Sequence, residues 1–168
     1  MKNFKIFIAC PISKYLTSDG MDHDFEVFIR GIHEHCKTFT EDVFLALERE
    51  EYGKNKMYGS DCTVADFNEI KNTDILIAFP EDSMGVSVEM GWASMLEKEM
   101  LVFVDKKYKQ SELVKSINSI TKGKRIDIDT SNGYKKLVNE IKTIIQNHNL
   151  TNSSLPPQFN ILYHIFII

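Results

Sequence analysis

Three short apolar runs limit what this chain can become: FKIFIA (Phe4–Ala9), DILIAFP (Asp74–Pro80) and MLVFV (Met100–Val104). Each has the length of a strand and is nearly continuous in apolar character, the pattern of strands buried on both faces. The segments between them change period. Phe25, Phe28, Ile29, Ile32 and Cys36 recur at helical spacing, which predicts a helix over Asp22–Thr38 with that face inward. Val64, Phe67 and Ile70 give the apolar side of a helix over Asp61–Asn72, and further helices are expected over Val86–Lys98, near Ser111–Ile120 and over Tyr134–His148. Short strands are expected at Val43–Ala46 and Arg125–Ile128.

Strands that alternate with helices imply a parallel sheet covered on both sides. The expected fold is therefore a three-layer α/β/α domain built on a parallel five-stranded Rossmann-like (flavodoxin-like) sheet. Residues 1–148 form the domain; 149–168, with Ser153, Ser154, Pro156 and Pro157, read as a linker and an apolar tail. Glu48–Ser60 is polar, contains Gly53 and Gly59, and reads as an exposed loop. In such sheets ligands bind beyond the carboxyl ends of the strands, at the point where strand order reverses. The loops after the first strand (9–20) and after DILIAFP (80–87) are the expected site walls.

Composition narrows the classes. The net charge of −4 and the lack of a clustered basic face speak against nucleic-acid binding. Three widely spaced cysteines, Cys10, Cys36 and Cys62, support neither a zinc ribbon nor a disulfide framework. They are expected in a reducing cytoplasm. The N-terminal residues show no secretory h-region, and the eight apolar residues at 161–168 are too few to span a bilayer. His33-Glu34-His35 is no metal motif, because residues i and i+2 of a helix point apart. Neither a metal nor a cofactor is expected, and no membrane partner.

The segment SMGVSVEMGWA (Ser83–Ala93) carries the most chemistry. Ser83, Gly85 and Ser87 stand where a helix begins, and the free N–H groups of a helix start favour an anion such as phosphate. Gly85 allows close approach of backbone to ligand, and the small residues Gly91 and Ala93 further along are expected to allow tight helix–sheet packing. Glu89 follows near the start of the same helix, where the dipole is expected to keep it ionised, as suits a nucleophile. Asp66 lies on the preceding helix, on the same edge of the sheet. Two carboxylates in different surroundings can divide into nucleophile and proton donor. Read by position alone, each of these residues also serves as a cap or a surface charge. Lys14 and Tyr15 of the first loop either reach a ligand or simply stand exposed.

On KIFIACPIS (Lys5–Ser13), ADFNEIKNTDILIAF (Ala65–Phe79) and SMGVSVEMGWA, the chain resembles the nucleoside 2-deoxyribosyltransferase superfamily, and within it the nucleoside 5′-monophosphate N-glycosidases. The resemblance implies that Glu89 attacks C1′ of the sugar, that Asp66 assists departure of the base, and that Ser83, Gly85 and Ser87 hold a 5′-phosphate. It also implies a homodimer with shared sites, Asn118 being donated across the interface. Two positions depart from the pattern. Phe7 replaces a tyrosine, which tilts the reading toward a ribonucleotide such as cytidine monophosphate, and Ser13 replaces an arginine, leaving Lys14 and backbone amides for the phosphate. The activity implied is hydrolysis of a nucleotide N-glycosidic bond through a glycosyl-enzyme ester. Base exchange between nucleosides and non-catalytic nucleotide sensing are the alternatives.

Overall fold

The computed structural model describes residues 4–18, 20–129 and 133–154, with side chains through 148. Five parallel strands form the central sheet: β1 (Ile6–Ala9), β4 (Val43–Leu45), β5 (Ile75–Ala78), β6 (Glu99–Asp105) and β7 (Gly123–Ile128), in the spatial order β4-β1-β5-β6-β7. A two-stranded antiparallel ribbon, β2 (Leu16–Thr17) and β3 (Gly20–Met21), follows the short helix α1 (Ile12–Tyr15). Every residue of β1 and β5 is buried, as continuous apolar runs between two helical layers require.

One layer holds α2 (His23–Lys37) and α7 (Gly133–Ser154), the other α4 (Gly59–Asn72) and α5 (Met84–Met95). Alternation along the strands separates two cores. Ile6 and Ile8 face α2 and α7 with Ile29, Ile32, Leu137 and Ile141; Phe7 and Ala9 face α4 and α5 with Ile70, Val86, Met90 and Ala93. The register Ile6↔Ile75 through Ala9↔Ala78 brings the ends of β1 and β5 level. The chain passes from β1 outward to β4 and then back to β5, so the reversal of strand order lies between β1 and β5.

Four expectations need correction. Glu48–Ser60 is not an exposed loop throughout: the end of α3 (Ala46–Arg49) and a single 3-10 turn (Glu51–Gly53) occupy its first part, and Glu50 is buried. Leu47, the last of an apolar run over 43–47, anchors the segment, and Arg49 compensates Glu50. The helix near Ser111–Ile120 is broken into α6 (Glu112–Lys115) and a 3-10 turn (Ile117–Ser119). The last helix runs on through Ser154, past the expected boundary at 148; a helix need end only before a proline, and the first one in that stretch is Pro156. Gly91 does not permit tight helix–sheet packing, since it is exposed and nothing lies within 4 Å of where a Cβ would stand. The apolar tail lies outside the described residues. Among those residues no helix is long and apolar enough to cross a membrane.

His33 and His35 part as their spacing requires. His33 is buried against the Val43 carbonyl, while His35 packs edge-on to Phe39.

Candidate active site

A cavity of about 510 Å³ opens at the carboxyl ends of β1, β4 and β5. The loop after β1 supplies Cys10, Ser13 and Lys14, the start of α5 supplies Ser83 and Gly85, and α3 and the chain behind it supply Ala46, Glu50 and Met57. Cys62 and Asp66 of α4 and Glu89 of α5 complete the lining. The cavity thus sits where strand order reverses, as the topology demands.

Helix α5 begins cleanly. The Ser83 side chain accepts from the Val86 N–H at 3.4 Å, as an N-cap does. The next amides, those of Met84 and Gly85, belong to the unpaired first turn of the helix and border the cavity. A Cβ on Gly85 would meet nothing closer than the Ser83 hydroxyl at 3.8 Å, so the space beside it is open. Ser87 is placed differently from the expectation. Its hydroxyl donates to the Ser83 carbonyl at 2.8 Å within the helix, and it does not line the cavity.

Glu89 lies in the second turn of α5, partly accessible from the cavity. Helix-dipole stabilisation fades within the first turn, so it does not hold this carboxylate ionised as the sequence suggested. Burial pushes Glu89 up, the negative charge of Asp66 adds to that, and Arg49 opposes it; the outcome is about 8. At neutral pH the free protein holds Glu89 mostly protonated.

Asp66 is 7 % exposed and fully engaged. Arg49 Nη1 donates to its Oδ1 at 2.7 Å, and the Cys62 thiol donates to its Oδ2 at 3.3 Å. Arg49 Nη2 also donates to Glu50 Oε1 at 3.1 Å, so one guanidinium serves two buried carboxylates. Burial and the neighbouring carboxylates push the thiols of Cys10 and Cys62 up, which keeps both neutral and unreactive. Phe7 does not touch the cavity. It is buried beneath it, its ring 4.9 Å from that of Phe44, which in turn lies 5.5 Å from the Arg49 guanidinium.

Lys14 bridges the two loops at the rim. Its ammonium meets Asp82 Oδ1 at 3.0 Å and sits 3.3 Å from the centre of the Tyr108 ring. Ser13 is an exposed rim residue, and Asn118 is exposed and outside the cavity lining. Arg49, Glu50 and Met57 are the residues that sequence reasoning missed. The only signal for them was their place directly after the apolar run at 43–47, which ends in the buried Leu47.

A second cavity of about 410 Å³ lies at the same edge of the sheet, above the α2 and α7 layer. Phe25, Phe28, Phe79 and Phe103 line it, with carboxylates that include Asp22, Glu81 and Asp105.

No protein-family model matches the sequence, and no curated protein does. Solved structures do match. The Clostridium botulinum CMP N-glycosidase BcmB superposes with a TM-score of 0.61 at 20 % identity, over 83 % of this chain and 98 % of that one. The chain shares the fold of a nucleotide N-glycosidase. The solution structure of BlsM superposes with a TM-score of 0.71 at 22 % identity, over 91 % of this chain and 95 % of the other. At these identities the likeness is one of architecture, and the chemistry has to be read from the cavity.

Proposed function

We propose that this chain hydrolyses the N-glycosidic bond of a nucleoside 5′-monophosphate, with cytidine monophosphate the favoured substrate. One observation carries the reading: Glu89 and Asp66 face one cavity together with the capped N-terminus of α5. That combination offers an anion seat, a nucleophile and a second carboxylate in one space. The architecture shared with a CMP N-glycosidase supports the same substrate class.

In this scheme the 5′-phosphate rests on the first amides of α5, with Ser13 and Lys14 at the rim and Gly85 leaving room for it. Lys14 leaves Asp82 to meet the phosphate. The ionised Glu89 attacks C1′, forming an ester bond as the C1′–N bond breaks, and the departing base takes up a proton relayed through Asp66. Water then hydrolyses the ester, returning Glu89 and releasing sugar phosphate with retained configuration. Arg49 and Cys62 position Asp66 throughout. Only the deprotonated form of Glu89 is competent, so turnover rises with pH toward 8.

A homodimer with shared sites is part of the proposal. Val64 and Phe67 on α4, and Met84, Val88 and Met95 on α5, are exposed apolar side chains on the helices that carry Asp66 and Glu89. Light scattering is expected to give twice the chain mass.

The test is chromatographic. Incubation with cytidine monophosphate is expected to release cytosine and ribose 5-phosphate, and Glu89→Gln is expected to abolish release. Undiminished release by that variant removes Glu89 from its role; no release from any monophosphate removes the activity.

A further inference from the structure

Glu50 is only 3 % exposed, yet one of its oxygens is unused. Oε1 accepts from Arg49, while Oε2 has no hydrogen-bond partner among the described residues, and the side chain lines the cavity. That second oxygen is not sealed from solvent, so cavity water meets it in the free protein and a ligand donor can take the water's place.

Topology says which part of a ligand it meets. Glu50 stands behind β4, and the α5 anion seat behind β5, with β1 between them. Adjacent strands lie about 4.8 Å apart, so these two walls are roughly 10 Å apart, with Glu89 and Asp66 belonging to the same cavity. A nucleotide with its phosphate at α5 and C1′ at Glu89 therefore extends its base toward Ala46, Glu50 and Met57. An ionised carboxylate only accepts hydrogen bonds. The base edge that completes Oε2 must donate: an exocyclic amine fits, and a carbonyl oxygen in its place sets acceptor against acceptor.

We propose that Glu50 is the specificity-determining residue of this site and selects nucleotides whose base carries an exocyclic amino group, cytosine over uracil. The inference rests on the nucleotide reading above for the identity of the ligand. Arg49 fixes the carboxylate through Oε1, which holds the second oxygen in place before the base arrives. Glu50 is not needed merely to neutralise Arg49, which already has Asp66 at 2.7 Å.

Glu50→Gln tests this, because its amide oxygen can still accept from Arg49 while its NH₂ turns the cavity-facing group into a donor. The ratio of kcat/KM for cytidine over uridine monophosphate is expected to fall at least tenfold, partly through a gain on uridine monophosphate. Glu50→Asp, which keeps an acceptor-only group, is expected to retain the preference. Calorimetric binding of both nucleotides to Glu89→Gln, with and without Glu50→Gln, reads the same ratio without turnover. A preference for cytidine monophosphate in binding, lost on Glu50→Gln, upholds the inference even if the wild-type protein cleaves nothing, in which case only the hydrolase reading falls. A ratio unchanged within about twofold by Glu50→Gln, a preference lost equally in Glu50→Asp, or no binding of either nucleotide overturns it.

Discussion

The carboxyl edge of the sheet carries two cavities of similar size, and their electrostatics differ in kind. Above α2 and α7, three of the lining carboxylates have partners of their own. Asp22 caps α2 through the Phe25 N–H, Glu81 accepts from the Tyr15 hydroxyl at 2.6 Å, and Asp105 pairs with Lys107 at 3.1 Å. Above α4 and α5, three carboxylates share one guanidinium, and Glu89 is pushed to about 8 as a result of burial and of Asp66. Concave shape does not separate the two. Unfinished charge compensation does, and such imbalance is what a reactive site requires and a structural ion pair avoids.

The largest test of that contrast is Glu89→Gln against Asp105→Asn. Loss of the nucleophile is expected to lower kcat for base release on the order of a thousandfold or more. Asp105→Asn in the other cavity is expected to leave it within about twofold. Asp66→Asn comes next. It is expected to cost on the order of a hundredfold and, by removing a like charge, to move the rising limb of the kcat/KM–pH profile below the wild-type midpoint near 8. A limb that stays at 8 would show the two carboxylates to be uncoupled.

Stability gives the third test. A carboxyl held up in the folded protein favours folding in its neutral form, so its penalty is absent below the ordinary value of 4.5, grows as pH rises, and is complete above about 8. Glu89→Gln is thus expected to raise the melting temperature at pH 9 and to leave it unchanged at pH 4, with a difference of at most about 5 kcal/mol. The smallest effect is at the cap. Ser83→Ala is expected to cost about 1 kcal/mol in stability and to raise KM for a monophosphate more than for the free nucleoside, measured by denaturation and steady-state kinetics.

Much of this was legible beforehand. Continuous apolar runs fixed β1, β5 and β6, and the switch from continuous to helical periodicity fixed α2, α4 and α5. Asp66, Ser83, Gly85 and Glu89 follow from placing those elements around a parallel sheet, and the structure brings all four to one cavity. Ser87 and Phe7 were misplaced for local reasons: a serine hydroxyl in a helix can satisfy the carbonyl four residues back, and a strand residue two before the strand end points to the buried layer. Arg49 and Glu50 were hidden because a polar run carries no periodicity, and only long-range pairing with α4 shows that these charges are inside.

The two walls of the cavity also differ in what supports them. The α5 wall hangs from β5, paired on both sides, whereas the wall with Glu50 hangs from β4, a three-residue edge strand bonded to β1 alone. Local opening costs least at such an edge. Amide exchange is therefore expected to be faster through 43–53 than through 75–78. For an evolving lineage, the half of the cavity facing the base can be rebuilt by small changes at the sheet margin, while the half that holds phosphate and nucleophile stays locked to the centre.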